Sequence, residues 1–358
     1  MLLDINNIVI RERVFDFLSN SDYSTLLQLP EWSKVKDNWE SSYFYLENNG
    51  QIIAAALLLS RCDNLTNRDF YYVPNGPICR QDDFASMELL ITEMKEYARS
   101  KGGFLLRVEP RIEFDEKLYK QYCEIFPLRN DADMFGQAPM STILNFKDRS
   151  IEQIFSAYSK NMRNNIKSPY KKNLKIYIGT REDLPIFYEM LKDMSEKKGI
   201  GIRPYEYFEK IYDVFQNKLR LSFVAIDEIN NGGNNVCTSN SVVPSCELRY
   251  DKMGLRLLAS SMLIIHGKNA ISLYGADPIY ERLGQSYLLD FEEIRYACEM
   301  GCDSYDMGGV YYNDEADGLY SFKNRMTQNG LIKWIGVFEC VLDDEVYSRY
   351  RQSRRECD

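Results

Sequence analysis

The chain spells one order of elements twice, and that duplication restricts its fold more than any single motif does. In the first copy, SYFYLENNGQIIAAALLLSR (42–61) reads as two strands about an Asn48-Asn49-Gly50 turn, since asparagine and glycine accept the positive φ of tight hairpin turns. A third strand, FYYVPNGP, stops at Pro74 and Pro77. A helix from about Asp83 to Ser100 follows, with Met87, Leu90, Ile91, Met94 and Tyr97 on one stripe and Lys101-Gly102 as its stop; the strand FLLRVEP closes the unit. The second copy runs LRLSFVAI, LRLLASSMLII and ISLYGADP, then a helix from about Ser286 to Met300, then DSYDMGG. This order predicts two related mixed α/β domains. Between the copies, Thr180 to Asp183 reads as a capped helix start leading to about Lys198, and Pro204 opens another helix. The stretch Glu228 to Ser245, rich in Asn, Gly and Ser, reads as a long, mobile surface loop.

Composition narrows the chemistry. With 358 residues, 45% of them apolar, the chain can bury one large or two medium cores. One histidine, His266, removes histidine-based triads and most zinc chemistry, and no metal site is expected. The nine scattered cysteines, of which only Cys298 and Cys302 lie close, fit a reduced setting. The start, MLLDINNIVIRERVFDF, lacks a basic-then-apolar signal layout, and the longest apolar stretches, Ile52 to Leu59 and Leu257 to Ile265, fall far short of the ~18 residues of a span, so a soluble, cytoplasmic protein is expected. The net charge of −9 opposes general coating of nucleic acid and leaves room only for a local patch.

Such a patch exists. SKNMRNNIKSPYKKNLK carries Lys160, Arg163, Lys167, Lys171, Lys172 and Lys175 without an acid. The first three share a helix face at i, i+3, i+7 spacing, until Pro169 bends or ends the helix. The run suits a phosphate backbone, and it reads equally as a solvated basic face. Small acyl-CoA transferases would fit the mixed α/β pattern, yet their pyrophosphate loop, R/Q-x-x-G-x-G/A, is matched only by near misses: Arg99 to Gly102 fails at Phe104, and Glu196 to Gly201 begins with a carboxylate. No P-loop occurs either. An acyl transferase of this composition is expected to use a carrier other than coenzyme A, and no cofactor is expected.

Several landmarks then fall in one order: LLQLPEWSKVK (Leu26 to Lys36), YVPNGP (72–77), LRVEP (106–110), QAPMSTIL (137–144), the KNMRNNIK basic run, YDMGGV (305–310) and GLYSFK (318–323). Together they resemble the Fem family of aminoacyl-tRNA-dependent peptidoglycan peptidyltransferases, colinear over nearly the whole chain. The resemblance implies two tandem acetyltransferase-like (GNAT-like) mixed-sheet domains, residues 1–145 with 334–358 and residues 146–333, of the type without a long helical arm. It also implies transfer of an amino acid from aminoacyl-tRNA to the stem-peptide amine of a UDP-linked or lipid-linked muramyl precursor, forming a side chain or bridge. Transfer to another peptide or a secondary metabolite, and non-catalytic polyanion binding, remain alternatives.

By this resemblance, Lys36, Arg203, Tyr207 and Tyr274 match positions that hold the precursor's diphosphate; Arg203 and Tyr207 sit near a helix N-terminus, where anions are favoured. Lys323 would meet the oxyanion formed when an amine attacks the ester, with Phe322 lining the aminoacyl site. No obligate general base is evident; Glu109 and Asp306, at strand ends, are candidate proton acceptors. Asn75 stands where the family often has arginine. Lys160, Arg163, Lys167, Lys171 and Lys172 gain the acceptor end of tRNA as partner, and YSRYRQSRR (347–355) either adds a weak contact to tRNA or to the anionic inner membrane surface or forms a solvated tail.

Overall fold

A computed structural model describes residues 1–126, 136–227, 250–252, 254–278 and 281–355. The loop expected at Glu228 to Ser245 lies outside them. The chain forms two units, Met1–Ser141 with Ile332–Asp358, and Thr142–Leu331.

The first unit begins with α1 (Ile8–Asn20), whose Asn7 side chain accepts from the Ile10 N–H, and the short α2 (Pro30–Val35). The hairpin β1 (Glu40–Asn48) and β2 (Gln51–Asp63) closes with Asn48 opposite Gln51, Asn49 and Gly50 both at positive φ. Next come β3 (Arg68–Pro74), β4 (Ile78–Cys79), α3 (Phe84–Ser100), β5 (Leu105–Glu109) and α4 (Glu116–Ile125). α3 buries Met87, Leu90, Ile91 and Met94 on its expected stripe, against Ala54, Ala56 and Leu58 of β2 and Leu106 and Val108 of β5. The YVPNGP motif has a packing reason: the fully buried Gln28 amide donates to Pro74 O at 2.8 Å and accepts from Leu57 N at 2.8 Å. A Cβ on Gly76 would lie 2.5 Å from Gln28 Cδ, so only glycine fits there.

The second unit follows the same plan. Its elements are β6 (Met140–Asn145), which the chain enters through Met140 and Ser141, then α5 (Ile151–Ala157), α6 (Lys160–Lys171), β7 (Leu174–Gly179), α7 (Leu184–Lys198), α8 (Tyr205–Phe215), β8 (Leu219–Asp227), β9 (Tyr250–Lys252), β10 (Leu255–His266), β11 (Asn269–Ala276), α9 (Gln285–Glu299), β12 (Ser304–Val310) and α10 (Gly318–Met326). Then β13 (Leu331–Lys333), β14 (Phe338–Val341) and α11 (Asp344–Arg355) complete the chain. Thr180 caps as expected, but Arg181–Asp183 form a separate 3-10 turn ahead of α7, because the buried Asp183 carboxylate takes the Thr180 N–H and the Lys252 ammonium.

Sheet order is β1-β2-β3-β5-β14 in one sheet, with β4 on β2, and β13-β6-β12-β11-β10-β8-β7 in the other, with β9 on β10. In each, an antiparallel trio leads through a helix to a parallel partner: β3 beside β5 across α3, and β11 beside β12 across α9. The duplicated mixed sheets expected from the sequence are present. Among the described residues no helix is long and apolar enough to cross a membrane.

Candidate functional site

The two parallel pairs differ where chemistry is expected. β3 and β5 pair from Phe70/Leu105 to Pro74/Glu109, whereas β11 and β12 pair only from Asn269/Ser304 to Ile271/Asp306. The cause is local. The buried Asp306 carboxylate accepts the Gly308 N–H at 2.7 Å, and Gly308 sits at φ +81°. Beyond Ile271/Asp306 the end of β12, which runs on to Val310, is freed from pairing with β11. Ligand sites of α/β sheets lie outside such carboxyl ends.

Lys323 reaches this freed end from α10. The helix is started by Asp317, whose carboxylate accepts from Tyr320 N at 2.6 Å, and Lys323 lies one and a half turns further on. Its ammonium donates to Gly309 O at 3.1 Å, and a Cβ on Gly308 would lie 3.8 Å from Nζ. Burial pushes the ammonium below its usual range, while the charges of Asp290 and Asp306 pull it back up. Phe322 packs edge-on against Tyr287 of α9, ring centres 5.1 Å apart, so it bounds the neighbouring apolar surface. A half-buried cation beside a strand end can stabilise an oxyanion there.

α9 and β12 also carry a buried acidic group that the sequence reading did not single out. Asp290 and Glu293 sit at i and i+3 on α9, hence on one face, and Tyr305 of β12 reaches both. The Tyr305 hydroxyl is 2.8 Å from Asp290 Oδ1 and 2.6 Å from Glu293 Oε2, and Ser261 donates to Glu293 Oε1. Glu293 and Tyr305 are fully buried. Burial, then Glu293's charge, pushes Asp290 up to about 7; burial raises Glu293 too, against the hydroxyls of Ser261 and Tyr305 and the charge of Arg220. The available signal was an acidic pair on the apolar side of an amphipathic helix, where charge is rarely placed without a partner.

Arg203, Tyr207 and Tyr274 come together as a second group. Pro204 caps α8, placing the exposed Arg203 just before it with its guanidinium 5.8 Å from the Tyr207 ring centre. Tyr207 and Tyr274, the latter near the end of β11, are joined by a hydroxyl hydrogen bond, and Phe208 packs edge-on against Tyr274 at 4.9 Å. Burial, then each other's company, raises the Tyr207 phenol, and burial raises that of Tyr274, so both are neutral hydrogen-bonding groups at neutral pH.

The basic residues lie along α6, which runs through Pro169 and ends two residues later; proline is tolerated in that last turn at the loss of one helical hydrogen bond. Their uses differ. Arg163 donates to Ser156 O and Tyr158 O, capping the carbonyl end of α5. Lys167 lies 5.2 Å from the Phe155 ring centre, and Lys172 donates to Leu283 O at 3.2 Å. Lys160, Lys167, Lys171 and Lys172 are exposed.

Lys36 and Glu109 belong to the first unit. Lys36 ends α2, half-buried, its ammonium 5.8 Å from the Trp32 ring centre. Glu109, at the end of β5, is buried and accepts from the Tyr72 hydroxyl at 2.6 Å and from Gln137 N at 3.0 Å. Burial raises its carboxyl, against these two bonds and the charge of Arg107. Its other oxygen has no hydrogen-bond partner among the described residues, and a Cβ on Gly136 would fall 2.0 Å from it. The C-terminal run is not a solvated tail: within α11, Tyr347 and Tyr350 are buried against Phe70 and Phe104.

Two mixed sheets repeated in tandem, one with a cation at its freed strand end, define the class of tandem GNAT-like folds. Known proteins agree with this. The chain aligns with a crystal structure of FemX at TM-score 0.77 and 18% identity, covering 94% of this chain and 97% of that one, and with a tandem GNAT protein from the clavulanic acid biosynthesis pathway at TM-score 0.53 and 10% identity, covering 96% and 98%. Residues 10–132, 125–230 and 248–352 match the FemAB family, and the chain belongs to that family. It is 25% identical over 356 residues to the UDP-N-acetylmuramoylpentapeptide-lysine N(6)-alanyltransferase of Weissella viridescens, covering 97% of this chain and 98% of the relative. It is 24% identical over 383 residues to a lipid II:glycine glycyltransferase of Staphylococcus epidermidis, covering 92% and 91%.

Proposed function

We propose that this chain transfers the amino acid of an aminoacyl-tRNA to an amine on the stem peptide of a UDP-linked or lipid-linked muramyl precursor. One observation carries the reading: the Lys323 ammonium, anchored on Gly309 O at the end of β12. Family membership supports the substrate class, as does the naming of both relatives for addition of an amino acid to such precursors.

In the reaction a neutral amine attacks the ester carbonyl, a C–N bond forms, and the negative charge that gathers on the carbonyl oxygen is met by Lys323. The C–O bond then breaks and the terminal ribose oxygen leaves as a hydroxyl, taking one proton. The acceptor, an ammonium in water, gives up a second proton before attack. Asp306, in the same unit as Lys323, and Glu109 are the two carboxylates we propose as acceptors of that proton. Phe322 borders the aminoacyl group, and Arg203, Tyr207 and Tyr274 hold the diphosphate through one guanidinium and two hydroxyls; Lys36, in the first unit, is proposed as a precursor-binding cation by the family resemblance alone. The exposed lysines of α6, with Arg163, follow the tRNA backbone.

The test is reconstitution: purified chain, tRNA charged with glycine, alanine or serine, and a lysine-containing precursor, read by mass spectrometry. A precursor heavier by one residue with at least one charged tRNA is expected. An unchanged precursor mass with all three, for both UDP-linked and lipid-linked acceptors, refutes the proposal.

A further inference from the structure

Between β12 and α10 the chain turns two aromatic rings to water. β12 ends at Val310, and Tyr311 and Tyr312 follow at once, ahead of Asp317, which caps α10. Tyr312 is 71% exposed, the highest value of any large apolar or aromatic side chain among the described residues, and Tyr311 is 56% exposed. Among the described residues neither side chain has a hydrogen-bond or ring partner. Apolar side chains scattered singly over a surface are ordinary; two adjacent rings left bare beside a candidate site suit a contact with something flat.

Their place is set from both ends of the segment. Upstream, Gly309 O takes the Lys323 ammonium at 3.1 Å, and Tyr311 lies two residues on, a reach of at most about 7 Å along the chain. Downstream, Asp317 N donates to Asp314 O at 2.9 Å and Ala316 N to Asp314 Oδ1 at 2.9 Å, so the chain turns tightly into α10. The amide of Asn324, the residue after Lys323, lies 3.4 Å from Glu315 Oε1. The segment is thereby tied at both ends to the helix and strand that hold Lys323.

Charge selects what this surface accepts. Asp314, Glu315 and Asp317 are all exposed, and no lysine or arginine stands between Val310 and Phe322. Phosphates would be repelled there. A nucleobase presents a neutral π face, and any base stacks on an aromatic ring. The ester of an aminoacyl-tRNA is carried by its 3′-terminal nucleoside, so one base is attached to the same sugar as the carbonyl that Lys323 meets, and no phosphate follows it.

Resting on the proposed transferase activity, we infer that Tyr311 and Tyr312 form a stacking platform for the terminal adenine of the aminoacyl-tRNA. Adenine held on the platform orients its ribose, and with it the ester carbonyl, toward Lys323. The contact differs in kind from that of the α6 cations. Those meet backbone charge and weaken with salt, whereas stacking itself releases no counterions.

The first arm of the test needs no transfer. An uncharged acceptor-stem RNA hairpin carries 2-aminopurine as its 3′-terminal base, whose fluorescence falls when it stacks on an aromatic ring. Full-length wild type should quench it, as should the double variant Tyr311→Phe with Tyr312→Phe. The double variant Tyr311→Ala with Tyr312→Ala should not, and should bind the hairpin about 5- to 100-fold more weakly, by the same factor at low and high salt. Both rings are exposed, so the alanine pair should keep the fold, which circular dichroism checks. An unquenched probe with the wild type, or equal quenching by the alanine pair, overturns the proposal.

In the second arm the hairpin ends in adenosine or in a ribose without a base, each charged with the amino acid that the wild type transfers. Removing the base should lower kcat/KM about 5- to 100-fold for the wild type and the phenylalanine pair, and by less than about twofold for the alanine pair. A base effect of the same size in the alanine pair and the wild type overturns the platform. Transfer by the wild type without quenching leaves the proposed function standing and removes this inference. Quenching that is lost in the alanine pair, with no transfer to any muramyl acceptor, keeps the adenine platform and removes the proposed function.

Discussion

The buried pair Arg107 and Glu339 offers a test of how the first unit is tied to its C-terminal strand. The residues face each other across β5 and β14, with Arg107 Nε and Nη2 at 3.0 and 2.5 Å from Glu339 Oε1. Both side chains are nearly inaccessible, at 3% and 2%, and Tyr347 of α11 donates to the remaining Glu339 oxygen at 2.5 Å. Arg107→Met keeps most of the volume and strands a carboxylate in the core, a loss of about 3–5 kcal/mol. For a unit of this size that is a fall of roughly 6–20 °C in Tm, at about 2–4 °C per kcal/mol. Arg107→Met with Glu339→Leu removes both charges. The Tyr347 hydroxyl loses its bond to Glu339, at about 1–3 kcal/mol, but the double variant should still be more stable than the single by about 2 kcal/mol, because the stranded carboxylate and its desolvation are removed. Urea unfolding of the four proteins, followed by the fluorescence of Trp39 and its neighbours, closes the cycle. A single variant within about 1 kcal/mol of wild type, or a double variant as unstable as the single, refutes the reasoning.

Three further outcomes follow from the geometry. Gly76→Ala places a Cβ 2.5 Å from Gln28 Cδ and must break the Gln28 bonds to Pro74 and Leu57, at about 1–3 kcal/mol for each buried group left unpaired; chemical denaturation showing under ~0.5 kcal/mol would sink the account of that motif. Asp290 is held at about 7 in the fold, above its unfolded value of about 3.9, so its contribution to stability is complete below pH ~4 and lost as pH rises through 7. Asp290→Asn should thus gain on the wild type by up to ~1.4 kcal/mol per pH unit across that window, and a pH-independent difference in urea unfolding argues against it. Replacing the exposed Lys160 and Lys171 by alanine should lower the slope of log affinity for tRNA against log salt by ~0.7–0.9 for each phosphate that no longer meets a cation; an unchanged slope places the tRNA elsewhere.

The strands and helices were legible because their signals are local and periodic. The Asn49-Gly50 turn, the α3 stripe and the Pro74 stop each depend on a few neighbouring residues, and the duplicated order of elements then yields two mixed sheets. Long-range pairing was not legible. Nothing local joins Arg107 to Glu339, 232 positions away, or Asp290 to Tyr305 across a helix and a strand. Pro169 reads in sequence as a bend or an end, yet the helix carries it within its last turn. The C-terminal run was legible as basic but not as buried, since alternating Arg and Tyr looks like a tail until its tyrosines meet Phe70 and Phe104. Lys323 and Phe322 could be singled out only through the colinear motifs; what their neighbours do to the charge of Lys323 is a property of packing.

The most direct measurement is single-turnover transfer from radiolabelled aminoacyl-tRNA to a saturating lysine-containing precursor, comparing wild type, Lys323→Arg and Lys323→Met. Loss of the oxyanion's cation should slow the chemical step by ~10²–10³-fold in Lys323→Met, with tRNA binding little changed and part of the rate kept by Lys323→Arg. Lys323→Met transferring at the wild-type rate would contradict the central claim.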